Sequence, residues 1–394
     1  MSEYEIKGKG LRVRISDSIS SFSEDWKTLS HNNIYADPLY LNLLETYGPY
    51  SYKYCYAILY DERNHPLSAM YFQFKRIELK KDFRLHTHSN SILKRSEVWF
   101  KRQFLKLINQ NLLIFGNVLL TGEYAYGIDR PFELTEEIMD LVFKKVKHHI
   151  KQEWKLNVHA ILAKDFFIEG AYKEHQFPVE SFTEFQVQPA MIMDIDGSWK
   201  HFDDYLAAVR SKYRVKFRKV MKMAKDIDFK EMDIDLITEY NDRMFAMYKG
   251  TAERASFSLF KLHEYYFLEL KKAFQDRIVI MGMFLEDQLL GFYTFVNNNG
   301  SGDAHFIGYD VRLNAKYNLY FNILLGLIDQ AIKAGSSHLN LSRTALEIKS
   351  SVGAEPHGMN IYLRHESTWI NRILPFVLSR IVPQKDWQPR SPFR

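Results

Sequence analysis

The sequence predicts a mixed α/β (α+β) fold in two domains, each a mixed, mostly antiparallel sheet flanked by helices. Three observations carry this expectation. The chain has 394 residues, more than one compact core usually organises. Hydrophobic residues make up 46% and charged residues 26%, with a mean hydropathy of −0.31; that balance supports a sizeable core and excludes intrinsic disorder. Strand-like and helix-like periods also follow one another in the same order in both halves.

In the first half, residues 52–77 read as two strands joined by a turn between Asp61 and Pro66. A basic amphipathic stretch at 92–108 precedes an apolar strand over 112–120. A helix is expected over 131–154, where Pro131 suits the first turn and Glu133, Glu136 and Glu137 suit the positive end of the helix dipole. A strand from Val158 to Asp165, a short helix near 167–175 and a strand over 182–195 complete the half. The second half repeats the order. A strand pair spans 277–298 around Glu286-Asp287-Gln288, and a strand follows over 303–310. Next come a helix over 318–334 closed by Gly335, a strand over 338–343, a short helical segment over 344–352 and a strand over 359–365. The expected divisions are residues 1–195, 196–366 and a tail at 367–394.

Between the halves lies one predicted helix. Phe202, Leu206, Val209, Tyr213, Phe217 and Val220 recur at three- and four-residue steps, and Ser198 or Asp203 is expected to cap its start. Arg210, Lys212, Arg214, Lys216, Arg218, Lys219, Lys222 and Lys225 follow with no acidic residue until Asp226, in a chain of net charge +5. Eight uncompensated cations repel one another, so this face is expected to meet phosphate: a phosphopantetheine group, tRNA or anionic lipid. Arg210, Arg214 and Arg218 share one face at four-residue spacing and are the expected phosphate ligands.

Several classes are excluded. One cysteine, Cys55, is expected to exclude an intramolecular disulfide, a thiolate zinc site and a CxxC redox pair. His86 and His88, like His148 and His149, have no carboxylate at metal-ligand spacing, and neither HExxH nor a P-loop occurs, so no metal is expected. The N-terminal stretch lacks the apolar core of a signal peptide and no run of about 18 apolar residues occurs. The expected location is cytoplasmic, peripheral on the inner face of the cytoplasmic membrane. The membrane contact rests on the 92–108 stretch and on the tail, where Ile370, Ile373, Leu374, Val377, Leu378 and Ile381 form a stripe. Arg372, Arg380, Lys385, Arg390 and Arg394 supply charge there, Trp369 and Trp387 supply interfacial rings, and Pro375 is expected to kink or restart the helix.

The order hairpin, strand, long helix, strand, short helix, strand resembles that of the GNAT acyltransferase fold, so two copies imply tandem GNAT-like domains. The string DDYLAAVRSKYRVKFRK resembles the signature helix of the FemAB-like peptidoglycan biosynthesis/recognition family within that superfamily. IDQAIKAGSSHLNLSRTALEIKSSVGA is similar to that family's helix, strand and Glu-His-Lys element. The likeness lands on Glu347 and Lys349, with Ile348 where the family has histidine. It implies a transferase with no permanently bound cofactor. The co-substrate would be an acyl-CoA or acyl-carrier-protein thioester, and the acceptor an amine-bearing lipid or envelope precursor. The usual CoA-binding glycine run is replaced by Arg312-Leu-Asn-Ala315-Lys-Tyr317, which points away from acetyl-CoA.

N-acyl transfer needs a group to take a proton from the attacking amine. Glu347 and His305 are the candidates for that role, with Tyr309 or Lys349 for the oxyanion or leaving group. Arg343 is a candidate to bind phosphate or orient Glu347, Tyr317 to line the donor site, and Glu123 to bind the acceptor. The expected activity is N-acyl transfer to a cell-envelope or sphingoid-base-like lipid precursor. The alternatives are a tRNA-dependent Fem-type aminoacyl ligase and a non-catalytic envelope-precursor binding protein.

Overall fold

A computed structural model describes residues 1–6, 8–77, 111–174, 176–178, 180–253, 260–381 and 387–393. The 92–108 stretch, His86, His88, Lys385 and Arg394 lie outside the described residues. Two compact units result. The first holds the described residues up to Val187 and those from Gly358 through the last helix. The second holds those from Gln188 to His357, Phe260 apart, and 387–393.

The first unit opens with β1 (Ser2–Ile6), β2 (Leu11–Ser16), α1 (Ser23–Leu29) and α2 (Pro38–Tyr47). Pro38 begins α2, and the Asp37 carboxylate accepts the Leu39 amide at 2.8 Å. The hairpin β3 (Tyr52–Tyr60) and β4 (Pro66–Arg76) leads to β5 (Asn111–Phe115), β6 (Tyr126–Ile128), α3 (Glu136–Glu153), β7 (Ala160–Phe167) and β8 (Thr183–Gln186). Helix α3 starts at Glu136 under a Thr135 cap, not at Pro131, which sits in the preceding turn. The segment expected as a helix near 167–175 continues β7 and then turns. Met139, Val142, Phe143, Val146 and Ile150 of α3 share one helical stripe and pack with Val13, Ile15, Phe72 and Phe115.

The second unit begins at β9 (Ala190–Asp194), followed by α4 (Phe202–Ala208), α5 (Ser211–Met223), β10 (Asp228–Glu231), α6 (Ile234–Ala252) and α7 (Tyr266–Phe274). The hairpin β11 (Ile278–Leu285) and β12 (Gln288–Asn298) and the strand β13 (Ser301–Tyr309) come next. Then follow α8 (Asn314–Tyr317), α9 (Leu319–Lys333), β14 (His338–Asn340), α10 (Leu346–Ser350) and β15 (Glu355–His357). The predicted basic helix is two helices. Val209 and Arg210 are extended between α4 and α5, the Arg210 amide donates to Pro392 O at 2.8 Å, and Val209 bridges Phe393. The cap of α4 is His201, whose amide donates to the Asp204 carboxylate at 2.9 Å. Tyr205, Phe217, Leu324 and Ile328 bury their side chains against Tyr293, Phe295 and Leu339.

One strand lies in an unexpected sheet. β16 (Met359–His365), expected to finish the second domain, pairs with β7 and β8 of the first sheet, where both its edges are hydrogen-bonded. The stretch 182–195 divides to match: β8 joins the first sheet and β9 the second, interrupted at Pro189, which has no amide to donate. The tail divides too. α11 (Thr368–Ile381) contains Pro375 without ending there and packs on β8 and β16, whereas residues 387–393 belong to the second unit.

The sheets run β1-β2-β3-β4-β5-β7-β16-β8, with β6 on β4, and β10-β11-β12-β13-β14-β9-β15. Each has one parallel pair joined through a crossover helix: β5 and β7 around α3, and β13 and β14 around α9. The remaining ladders are antiparallel. Gly308 lets α6 approach β13. A Cβ there would lie 2.5 Å from the Phe292 ring and 2.7 Å from the Tyr248 amide nitrogen. Gly308→Ala is therefore expected to destabilise the second unit by at least ~1–3 kcal/mol, measured as a lower urea midpoint.

Candidate active site

The parallel pair of the second unit stays together for only two rungs, Gly302↔Leu339 and Asp303↔Asn340. Its divergence has a local cause. Tyr293 pairs with Ile307 and Phe295 with Ala304, so His305 and Phe306 both face the single residue Thr294 as a β-bulge. A bulge bends its strand and leaves backbone groups out of the ladder. Thr294 Oγ1, fully buried, has no hydrogen-bond partner among the described residues.

Past the last shared rung, each arm carries one basic side chain: half-buried His305 two residues on along β13, and buried Lys349 in α10 after β14. On β13, His305 Nε2 lies 2.6 Å from the Tyr266 hydroxyl, and its ring packs edge-on to Phe306. Burial pushes the imidazole down to about 3, so it is neutral at physiological pH. Beyond β14, the Lys349 ammonium donates to Arg343 O at 2.6 Å and Ser342 O at 3.4 Å. Burial pushes this lysine down to about 7. Ser342, Thr344 and Ala345 have φ values of 60°, 69° and 48°. Three non-glycine residues in the left-handed region within one tight loop are strained, and the lysine holds that loop in place.

The other expected residues are distributed differently. Glu347 is exposed and pairs with the Arg390 guanidinium, so its carboxylate is engaged at the surface. Arg343 contributes the carbonyl that Lys349 holds. Tyr309 ends β13 with its ring 6.0 Å from that of Tyr320. Tyr317 is buried at the end of α8, with Lys316 Nζ 4.6 Å from its ring centroid. Arg210 and Arg218 are exposed on the basic segment, whereas Arg214 Nη2 donates to Ala207 O at 3.1 Å and Val209 O at 2.9 Å. Arg214 thus closes the end of α4 and is tied to the backbone. Glu123 lies in the first unit, where its carboxylate accepts the Phe167 amide at 2.8 Å and the Glu174 amide at 3.1 Å.

The equivalent opening in the first unit is stitched shut. Past the last rung of β5 and β7, Lys164 Nζ reaches across to Asn117 O at 2.9 Å and Leu120 O at 2.8 Å and pairs with Asp165. In the second unit, the turn after β13 is also occupied by its own side chains. Asp310 holds Arg312 through contacts of 2.8 and 3.1 Å and meets Arg243 at 3.3 Å. The Arg312 side-chain hydrogen bond leads in pushing the carboxyl down to about 2, against the effect of burial. The Tyr320 amide in the first turn of α9 donates to Asn314 Oδ1 at 2.9 Å. This turn therefore lacks the open, glycine-lined amide cradle of a standard CoA site.

The sequence matches no family model and no curated protein. Among solved structures, FemX is similar over 95% of this chain and 100% of its own, with 9% identity and a TM-score of 0.52. A tandem GNAT protein from the clavulanic acid biosynthesis pathway is similar over 91% of this chain and 99% of its own, with 7% identity and a TM-score of 0.51. The fold is tandem GNAT-like. At these identities the likeness is one of fold, and chemistry must be argued from side chains. Among the described residues, no helix is long and apolar enough to cross a membrane.

Tyr266 and the bulge at His305–Phe306 went unread in the sequence. YFLELKKAF has an ordinary amphipathic helix pattern, and nothing in it marks one tyrosine as a histidine partner. The bulge left a fainter signal, the loss of clean two-residue alternation through AHFIGY.

Proposed function

We propose that the chain is an N-acyltransferase whose chemistry takes place in the second unit, moving an acyl group from a CoA or carrier-protein thioester to the amine of an envelope or lipid precursor. The observations that carry this reading are the divergence of β13 from β14 at a bulge that holds neutral His305, and Lys349, with a pKa near 7, in α10 beyond β14. In the proposed reaction, the amine nitrogen attacks the thioester carbonyl, and the tetrahedral adduct collapses with cleavage of the carbon–sulfur bond. An imidazole held neutral so firmly is a poor proton reservoir, so His305 orients the amine by hydrogen bonding. Neutral Lys349 is better matched to accept the amine proton and return it to the departing thiolate. Glu347, engaged by Arg390, is not assigned the base role.

The test is purified chain incubated with acyl-CoA or acyl-carrier protein and long-chain amines, with release of free thiol as the readout. Cys55 is the chain's only cysteine and is buried, so the background is low. An amide product supports the reading; no thiol release with any donor–acceptor pair contradicts it.

A Fem-type aminoacyl transfer is the second reading, favoured by the exposed cations of α5, which would suit a tRNA phosphate backbone as well as a pantetheine phosphate. RNase sensitivity of the activity separates the two. Because Arg214 is a structural cap, the charge test belongs to Arg218, Lys219 and Lys222. Their joint replacement by Gln is expected to raise the donor's apparent KM about tenfold and leave the acceptor's unchanged, with added salt reproducing the effect in the wild type. An unchanged donor KM would remove this face from the donor site.

A further inference from the structure

We infer that Asp17, Cys55 and His149 of the first unit form a binding site for a zinc-class divalent cation. The three come from distant parts of the chain: Asp17 directly follows β2, Cys55 lies within β3, and His149 is near the end of α3. Their ligand atoms, one per residue, all lie within 4.8 Å of one another. A tetrahedral zinc ion with bonds of ~2.0–2.3 Å keeps its ligand atoms ~3.3–3.8 Å apart, so the set needs only local adjustment to close on a metal.

The surrounding hydrogen bonds orient this set. His149 Nε2 faces Asp17 Oδ1 at 2.8 Å, and its other ring nitrogen, Nδ1, lies 3.2 Å from Ser2 Oγ. Trp154 Nε1 donates to Asp17 Oδ2 at 2.8 Å, leaving Oδ1 to face the histidine. Partners of this kind fix the tautomer and ring orientation of a metal-bound imidazole and the rotamer of a carboxylate. Cys55 is a free thiol, fully buried, and no hydrogen bond engages its sulfur among the described residues. The set therefore contains one unpartnered buried donor beside two oriented ones.

The ligand chemistry selects the ion. Thiolate, imidazole and carboxylate together suit Zn²⁺ or its surrogate Co²⁺, not the all-oxygen preferences of Mg²⁺ or Ca²⁺. Binding exchanges the thiol proton for the metal, so one proton leaves to solvent as the sulfur–metal bond forms. The Asp17 side chain is 44% exposed, so the cluster is reached by solvent from that side. His149 showed no carboxylate at metal spacing in the sequence because its partner is 132 residues away. A metal here would tie the N-terminal strands and β3 to α3.

The experiment is a cobalt titration of the full chain after chelator treatment. Because Cys55 is the only cysteine, a near-ultraviolet thiolate-to-cobalt absorption can arise from it alone. The expected result is that band saturating at one equivalent, bleached by Zn²⁺, absent in Cys55→Ser, and shifted to at least tenfold weaker affinity in Asp17→Asn with an unchanged circular dichroism spectrum. Absence of the band in the wild type under excess cobalt would overturn the inference. Equal cobalt affinity in Asp17→Asn and wild type would do so as well.

Discussion

Lys349→Met is expected to lower the stability of the second unit and to change its dependence on pH. The substitution leaves the Arg343 and Ser342 carbonyls without their donor in a loop with three left-handed non-glycine residues, a loss of ~1–3 kcal/mol for each buried polar group left unpaired. The pH effect has a definite sign. Unfolded, the lysine titrates near 10.5; folded, near 7. Between those values the unfolded chain binds more protons, so this residue makes stability rise with pH from about 7 to about 10.5, by on the order of a few kcal/mol. Below about 7 both states are protonated and the contribution is lost. The wild type should therefore exceed Lys349→Met by a wider margin at pH 9 than at pH 7 in urea titrations. Equal margins would show that Lys349 does not carry the depressed pKa.

His305→Ala is expected to reduce kcat about 100-fold, the scale of losing one orienting contact to a nucleophile, while Tyr266→Phe gives a smaller loss. The phenylalanine variant keeps the imidazole but removes the hydroxyl 2.6 Å from Nε2. Because burial holds His305 near 3, the pH–rate profile should show no inflection from it between pH 5 and 8. The acid limb should instead fall near 7, with Lys349, and disappear in Lys349→Met. An inflection near 6.5 that is lost in His305→Ala would return the base role to the histidine.

These residues also show what a sequence can reveal. The hairpins β3–β4 and β11–β12 were legible because alternating apolar runs flank short polar turns, and the crossover helices α3 and α9 because their apolar spacing is unambiguous. The exchange of β16 into the first sheet was not, since MNIYLRH carries the same alternation whichever edge it meets. The break at Val209–Arg210 was hidden because the apolar stripe continues through it, and the interruption depends on Pro392 and Phe393, far along the chain. At the site, Lys349 was reached by family likeness and His305 only as a general candidate to take the amine proton. Glu347 looked catalytic only until Arg390, more than forty residues away, took its carboxylate. Arg214 matched its neighbours in charge, and only the backbone showed it to be a cap.

The chemistry proposed for the second unit is transfer of an acyl group from a thioester to an amine. Mass spectrometry of a reaction containing the chain, a carbon-labelled long-chain acyl thioester and a long-chain amine tests it directly. The expected result is a labelled amide formed in step with free thiol, with His305→Ala about 100-fold slower. Thiol release without amide, or amide formed equally fast by wild type and His305→Ala, would contradict it.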